Sequence, residues 1–575
     1  MKIISLITLF TIIVSCTANK SYNEWQGEGF SGFDSYKVVT AKNYMISSSE
    51  NLASEVGAKI LAKGGNAIDA AIASQMVLNV IEPHSSGIGG GLFLIYYDAK
   101  TKKTIYFNGR EIAPEGAFPR MFLDEYNEPR KFFDVVGGGL SVGTPGALKA
   151  LKEAHQKYGK LPWKELFAPA IKIANDGFVL SEKIHVILEQ VPYLKEYDGM
   201  RIYFDSKLKP HKTGTIIKNY ELAKTFEDIA NNGIETFYSG KIARNIVNAV
   251  QSSKVNPGFL SLQDLKNYKV KTGKLICSNY RVKYKICSMP VPSAGGITVL
   301  QTLGILENFD LSKIKPLSAE AIHLIAEANR LSYADRNEYL ADISNAPVKE
   351  MLDKEYLLKR SQMISFNKSI KKVAPGDITN YQQKAVGKIF EKPSTTHLSI
   401  IDKYGNAVAM TSSIEYLFGS ALKVNGFILN NQLTDFSFVP EIDGKQVVNQ
   451  VEPFKQPRSS MSPIFVFDNK SNLMMVIGSP GGPRISQFVI KTIIAYLDWN
   501  FDIQRAISMP NFVALNDKLE LEKRTEIANL KSSLQKKGHN VVITDITSGI
   551  NALVIKNNKI YGGADPRRQG SAIGN

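Results

Sequence analysis

Apolar and polar positions along the chain follow two periods. Leu52, Val56, Ile60 and Leu61 recur at helical spacing, and Gly64-Gly65 closes that helix. Residues 66–80 read as a second helix, rich in Ala and Ser, which permits close packing. Gly87-Ile88-Gly89-Gly90-Gly91 follows, and 92–97 is an apolar strand. Further on, Ala147–Tyr158 and residues 319–333 read as helices, and 280–287 as one strand. Residues 369–392 have weak periodicity, include Pro375-Gly376-Asp377, and read as an exposed, mobile connector. Directly after it, 395–402 and 407–414 flank the turn Lys403-Tyr404-Gly405-Asn406, which makes a β-hairpin. A mobile segment running into a hairpin at Ser394-Thr395 is a candidate processing point. No internal repeat is present.

The composition narrows the class. With 575 residues, 44% apolar and 22% charged, the chain is not a disordered, collagen-like or multi-span membrane protein. The net charge of +16 invites a nucleic-acid reading. The basic residues are scattered singly or in pairs such as Lys371-Lys372, however, and form no block. They read as a solvated surface, suited to lie near anionic lipid, and no nucleic-acid partner is expected. The three cysteines are Cys16, Cys277 and Cys287. No CxxC or HExxH occurs and the histidines have no ligand spacing, so no metal is expected. Cys277 and Cys287 flank the 280–286 run and are either bridged or simply packed thiols. The glycines at 87–91 precede a strand instead of opening a helix, so a dinucleotide fingerprint fails. No cofactor is implied.

The N-terminus carries an address. Met1-Lys2 and the apolar run 3–14 form a secretion signal too short for a comfortable membrane span. It ends in Ile13-Val14-Ser15-Cys16, which resembles a bacterial lipobox, with cleavage before Cys16 and lipidation of it. Ordinary signal cleavage with loss of Cys16 is the alternative. On the lipobox reading, 1–15 is the signal peptide and 16–36 a polar tether to a membrane. The protein is then expected outside the cytoplasm, in the periplasm or at the cell surface.

Two catalytic constellations compete. Gly139-Leu140-Ser141-Val142-Gly143 is a GxSxG motif between an apolar run and a helix, as in a nucleophile elbow. Nothing marks a partner among His323, His397 and His539, and a glycine-rich turn with a structural Ser141 is the simpler reading. The second constellation is spread over the last third of the chain. It comprises Ser394-Thr395-Thr396-His397-Leu398-Ser399, Thr411-Ser412-Ser413-Ile414-Glu415 and Leu429-Asn430-Asn431-Gln432-Leu433-Thr434-Asp435-Phe436. Pro457-Arg458-Ser459-Ser460-Met461-Ser462-Pro463 and Gly478-Ser479-Pro480-Gly481-Gly482 follow, and Gly109-Arg110-Glu111-Ile112-Ala113-Pro114 stands upstream.

In order and content these segments resemble the γ-glutamyltransferase (γ-glutamyltranspeptidase) family of the N-terminal-nucleophile hydrolase superfamily. The likeness runs from about 41 to 575 and includes 86–91, 292–296 and 562–575. It implies a four-layer αββα sandwich, built from two subunits that the precursor makes by cutting itself between Ser394 and Thr395. The expected pieces are 37–394, large, and 395–575, small.

The residues suit the chemistry that the resemblance implies. Cleavage would free the Thr395 α-amine, a base with a reference pKa of ~7.7–8.0 beside its own hydroxyl nucleophile. Ser413, where many members carry Thr, would support that hydroxyl by hydrogen bonding. Gly481 and Gly482 match the oxyanion loop, where small residues let backbone N–H groups approach the reacting carbonyl. A γ-glutamyl group carries a free α-carboxylate and a free α-ammonium. Arg110, with the hydroxyls of Ser459 and Ser460, would hold the first. Glu415, Gln432 and Asp435 would accept from the second; other branches carry Asn in place of Glu415. The implied donors are glutathione, its conjugates and glutamine, and the acceptors are water, amino acids or peptides. The chain departs from some members between Ser437 and Arg458: 438–456 holds Phe438 and Phe454 but no Tyr, which questions a tyrosine lid. An open site would admit larger or polymeric donors. The alternatives are a cephalosporin-acylase-like or poly-γ-glutamate-acting relative of the same fold, or a serine hydrolase using Ser141.

Overall fold

The computed structural model describes residues 36–575, apart from 379–380, 382–383, 388–390, 393 and 516. The expected signal peptide, Cys16 and all but the last residue of the tether lie outside the described residues. Among the described residues no helix is long and apolar enough to cross a membrane.

Fourteen strands form two antiparallel sheets: β1 (Val39–Ala41), β2 (Met45–Ser48), β3 (Gly91–Asp98), β4 (Lys103–Gly109), β5 (Lys271–Gly273), β6 (Ile276–Tyr280), β7 (Tyr284–Ser288), β8 (Thr396–Ile401), β9 (Ala407–Ser413), β10 (Ile464–Asp468), β11 (Leu473–Gly478), β12 (Asn551–Lys556), β13 (Lys559–Ala564) and β14 (Ser571–Gly574). One sheet runs β14-β2-β8-β9-β3-β4-β5 and the other β1-β13-β12-β11-β10-β7-β6. The strand β3 explains the layering. Its Leu92, Leu94 and Tyr96 pack into the core beneath α1 (Asn51–Ala62), α2 (Ala67–Ile81) and α3 (Ala147–Tyr158). Its Phe93, Ile95 and Tyr97 point the other way, into a core shared with Phe465, Met475, Ile477 and Leu553 of the facing sheet. Both faces are buried, so the run is continuously apolar instead of alternating. The second sheet is covered by α4 (Ala294–Leu306), α5 (Ala319–Tyr339) and α6 (Ile485–Leu497). The result is the αββα sandwich.

Most predicted elements fall where their periodicity puts them. The start of α2 is fixed by a capping box, in which Asn66 accepts from Ile68 and Asp69 and the Asp69 carboxylate caps the Asn66 N–H. The hairpin β8–β9 pairs from Thr396 with Ser412 to Ile401 with Ala407.

Three expectations are corrected. The single strand at 280–287 is two, β6 and β7, because Arg281 (φ 54°) and Val282 (φ 59°) turn the chain between them. Such a turn usually announces itself with Asn or Gly, and neither is there. The turn sets Cys277 opposite Cys287, and a disulfide joins them. The helix predicted to stop at 333 continues to Tyr339, since Asp335, Arg336, Asn337 and Glu338 are buried and not a polar exit. The connector 369–392 is not simply exposed: Ser369, Ile378 and Glu391 are buried, and Ala385 bridges to Val447.

Candidate active site

The hairpin puts the two hydroxyl residues together. Thr395 immediately precedes β8 and Ser413 ends β9, so the antiparallel register sets them opposite each other. Thr395 Oγ1 donates to Ser413 Oγ at 3.3 Å, and the same Oγ accepts the Glu415 N–H at 2.9 Å. Thr395 holds φ 145°, a region hostile to a β-branched residue, so roughly 1–3 kcal/mol of strain sits at the Ser394–Thr395 junction. On the other side of that bond, Ser394 Oγ donates to the His84 carbonyl at 3.0 Å.

These residues open on one pocket. Gly482 lines it and Gly481 stands next behind; their φ values of 57° and 134° are ones L side chains resist. The turn feeds α6, so its backbone N–H groups lie at the positive end of a 13-residue helix.

Opposite chemical poles flank the hydroxyls. Asp435 accepts from Arg110 and from Gln432 Nε2, both at 2.6 Å. Arg110 also donates to the carbonyls of Pro457 and Arg458. Gln432 Oε1, also buried, has no hydrogen-bond donor. Glu415 accepts from Asn431, Thr434 and the Lys392 N–H. Burial, with Arg110 pulling the other way, raises the Asp435 carboxyl to about 6. Burial and then the Asp435 charge push Glu415 well above the usual range. Also lining the pocket, Ser459 Oγ accepts the Met461 N–H, and Ser460 donates to the Glu391 carboxylate.

All the expected site residues except Gly481 and Cys16 line this one pocket. The sequence did not point to Glu391 or Arg336, and Arg458 stood in the 457–463 motif without a role. Glu391 sits in the supposed connector, ion-paired with Arg336. Burial raises its carboxyl, but Arg336 and Arg458 outweigh this and hold it below the usual value. Arg336 lies past the predicted helix end and resembles a surface charge in sequence; only its position in the fold buries it.

Ser141 does not build a second site. It is buried and donates to the Val136 carbonyl at 2.8 Å, which makes it a turn-stabilising hydroxyl. His397 hydrogen-bonds Thr411 and Ser399 between the sheets, and burial lowers it to about 3, so it is neutral. Despite the lack of ligand spacing in sequence, the fold gathers His323, Glu327 and His539 within 4.8 Å. Glu327, however, is already bound by Arg330, Ser369 and the Ile370 N–H, and an arginine in that place opposes a cation.

No aromatic ring lines the pocket among the described residues. Phe438 is buried against Phe122, centroids 4.6 Å apart, and Phe454 is 58% exposed.

Comparison with known proteins agrees with this geometry. The profile described as Gamma-glutamyltranspeptidase matches residues 53–575. The chain is 38% identical over 562 residues to the glutathione hydrolase proenzyme of Bacillus subtilis (strain 168), covering 94% of this chain and 93% of that one. Among solved structures, Helicobacter pylori gamma-glutamyltranspeptidase matches with a TM-score of 0.56 and 33% identity, over 61% of this chain and 99% of that one. Cephalosporin acylase from Bacillus halodurans matches with a TM-score of 0.82 over 95% and 98%; at 24% identity this is a likeness of fold.

Proposed function

The chain belongs to the γ-glutamyltranspeptidase family, and from that premise we propose how this member works and on what. It is a self-processing enzyme that cleaves γ-glutamyl amides and passes the γ-glutamyl group to water or to an amino acid or peptide. Cleavage between Ser394 and Thr395 separates the large subunit, 37–394 with the tether 16–36 still attached, from the small subunit 395–575. The freed Thr395 α-amine takes the Oγ1 proton as Oγ1 attacks the γ-carbonyl. Gly481 and Gly482 N–H groups stabilise the oxyanion. The C–N bond then breaks, the amine leaves with that proton, and a γ-glutamyl ester remains on Thr395. Water or an acceptor amine repeats the sequence and restores the hydroxyl.

The observation that carries this reading is the pairing of the Thr395 and Ser413 hydroxyls between two opposite poles. Asp435, Glu415 and the unpartnered Gln432 Oε1 suit an α-ammonium. Arg110, Ser459 and Ser460 suit an α-carboxylate. Glutathione is the donor of this proposal, supported by the name of the B. subtilis relative, a glutathione hydrolase proenzyme. The test is Thr395→Ala: the chain should stay uncut and inactive on glutathione. Normal cutting and turnover would end the proposal.

The protein works outside the cytoplasm, anchored through lipid on Cys16. The lipobox-like Ile13-Val14-Ser15-Cys16 supports this. So does the Cys277–Cys287 disulfide, a bond that persists in oxidising compartments. Labelled palmitate should enter the wild type and not Cys16→Ser; equal labelling would refute the anchor.

A further inference from the structure

One short turn holds both ends of the catalytic hairpin. In residues 82–86 the Glu82 carbonyl accepts the N–H groups of Ser85, at 2.9 Å, and Ser86, at 3.4 Å. Gln75 Nε2 donates to Ser86 Oγ at 3.0 Å. Two carbonyls of the turn reach the hairpin. That of His84 accepts from Ser394 Oγ at 3.0 Å and from the Phe418 N–H at 3.1 Å. That of Ser85 accepts the Ile414 N–H at 3.1 Å. Ile414 is also steered by the sheet, because β9 pairs with β3 as far as Ser413 opposite Gly91. Ser394 lies outside any strand, so its hold is the turn's.

The side chain of Glu82 ties this turn to a distant segment. Its Oε1 accepts from Lys183 Nζ at 2.9 Å, and both side chains are buried. Lys183 sits in the first turn of the helix Glu182–Gln190, where Ser181 Oγ caps the Ile184 N–H. A cation there opposes the helix dipole, and burying it costs its hydration. Helix stability therefore gives no reason for Lys183; the ion pair with Glu82 does. Arg568 Nη1 stands farther off, 3.8 Å from the same oxygen. Burial, and then the Glu82 charge, push the Glu50 carboxyl up to about 8. At pH 7 Glu50 is thus mostly protonated, and Glu82 is the charge that Lys183 meets.

The cut depends on how Ser394 is placed. Thr395 holds φ 145°, and such strain persists only where the surroundings fix both sides of it. β8 fixes the Thr395 side and the turn fixes Ser394. In the cut, Oγ1 adds to the Ser394 carbonyl carbon and the Thr395 nitrogen leaves with the hydroxyl proton. Water then hydrolyses the ester between Ser394 and Oγ1. We propose that Lys183, acting through Glu82 and the turn 82–86, is a positioning residue for this self-cleavage, keeping Ser394 placed for attack by Thr395. The inference rests on the self-processing γ-glutamyl reading given above.

The test is a double-mutant cycle on the rate of cutting, followed in the full chain by pulse–chase labelling and gel analysis. Ser394→Ala removes the hydroxyl that His84 holds and should slow cutting about tenfold, the worth of one hydrogen bond. Lys183→Met should slow it by a similar factor, while the cut fraction keeps its kcat on γ-glutamyl-p-nitroanilide within about twofold. Because both changes act on one hold, the double variant should cut about tenfold more slowly than wild type, not about a hundredfold. Effects that multiply in the double variant, or a Lys183→Met rate within about twofold of wild type, overturn the proposal. Should Lys183→Met not fold, Glu82→Gln, which keeps the side-chain shape and removes its charge, takes its place in the cycle with the same two readings. A merely structural pair would lower the yield of folded chain and leave the cutting rate of what folds unchanged. Failure of the self-processing reading looks different, because wild type itself would then stay uncut and the proposal would fall with it.

Discussion

On the proposed reading Thr395 serves twice: its hydroxyl has to attack the peptide bond before it and, later, the substrate. Both acts need Oγ1 held and polarised, and Ser413 is the group in contact with it. Ser413→Ala should slow both maturation and kcat by about tenfold, the worth of one hydrogen bond, while Ser413→Thr should restore both. Gel analysis of cutting and steady-state kinetics read this out. Gly482 has a different constraint. At φ 57° an added Cβ costs ~1–2 kcal/mol and displaces the oxyanion donor, so Gly482→Ala should lower kcat far more than it raises KM. The Asp435 carboxyl, pushed up to about 6 by burial, holds an ammonium more strongly when ionised. Donor KM should therefore rise as pH falls through about 6; a KM flat from about pH 5 to 8 would exclude Asp435 from ammonium binding. Of these residues, Thr395, Ser413, Gly482 and Asp435 could be picked from motifs in sequence. Arg336 and Glu391 could not, because a charged residue in a helix or connector reads as solvated until the fold buries it.

Among the elements, two hairpins matter most. The β8–β9 hairpin was legible because strand residues flank a Gly-containing turn, and its register alone sets Thr395 opposite Ser413. The β6–β7 hairpin was not legible. Its turn residues, Arg281 and Val282, carry no turn signature, and the strand context imposes their positive φ. Its cross-strand disulfide closes a loop with a sequence separation of 10, which is worth about 2–3 kcal/mol on the chain-entropy account. The double variant Cys277→Ser/Cys287→Ser should unfold at lower denaturant concentration by that amount and keep its kcat. A loss of activity at full stability would instead tie β7, which leads towards Ser293 and its bridge to Ser459, to the site itself.

For the whole molecule, the decisive prediction is of two chains. Scaling 63.6 kDa by length gives roughly 42 kDa for 16–394 and roughly 20 kDa for 395–575, the smaller beginning with Thr395, as release of an N-terminal nucleophile requires. Intact mass under denaturing conditions measures both; a single uncut chain would leave Thr395 without its amine. The two pieces remain interleaved after a cut, because β2 from one and β8 from the other are neighbours in the same sheet. The sequence by itself determined the elements with strong periodicity, because local period is written in neighbouring positions, and its motifs carried the family resemblance from which the hydroxyl nucleophile, the glycine turn and the polar groups for a zwitterion were expected. Only the tertiary structure decided that Arg110 pairs with Asp435, that Ser141 serves a turn, and that Glu391 lies across Arg336 and Ser460. Each of these depends on which distant segments meet in a buried place, and there the fold, not the local pattern, chooses a charge's partner.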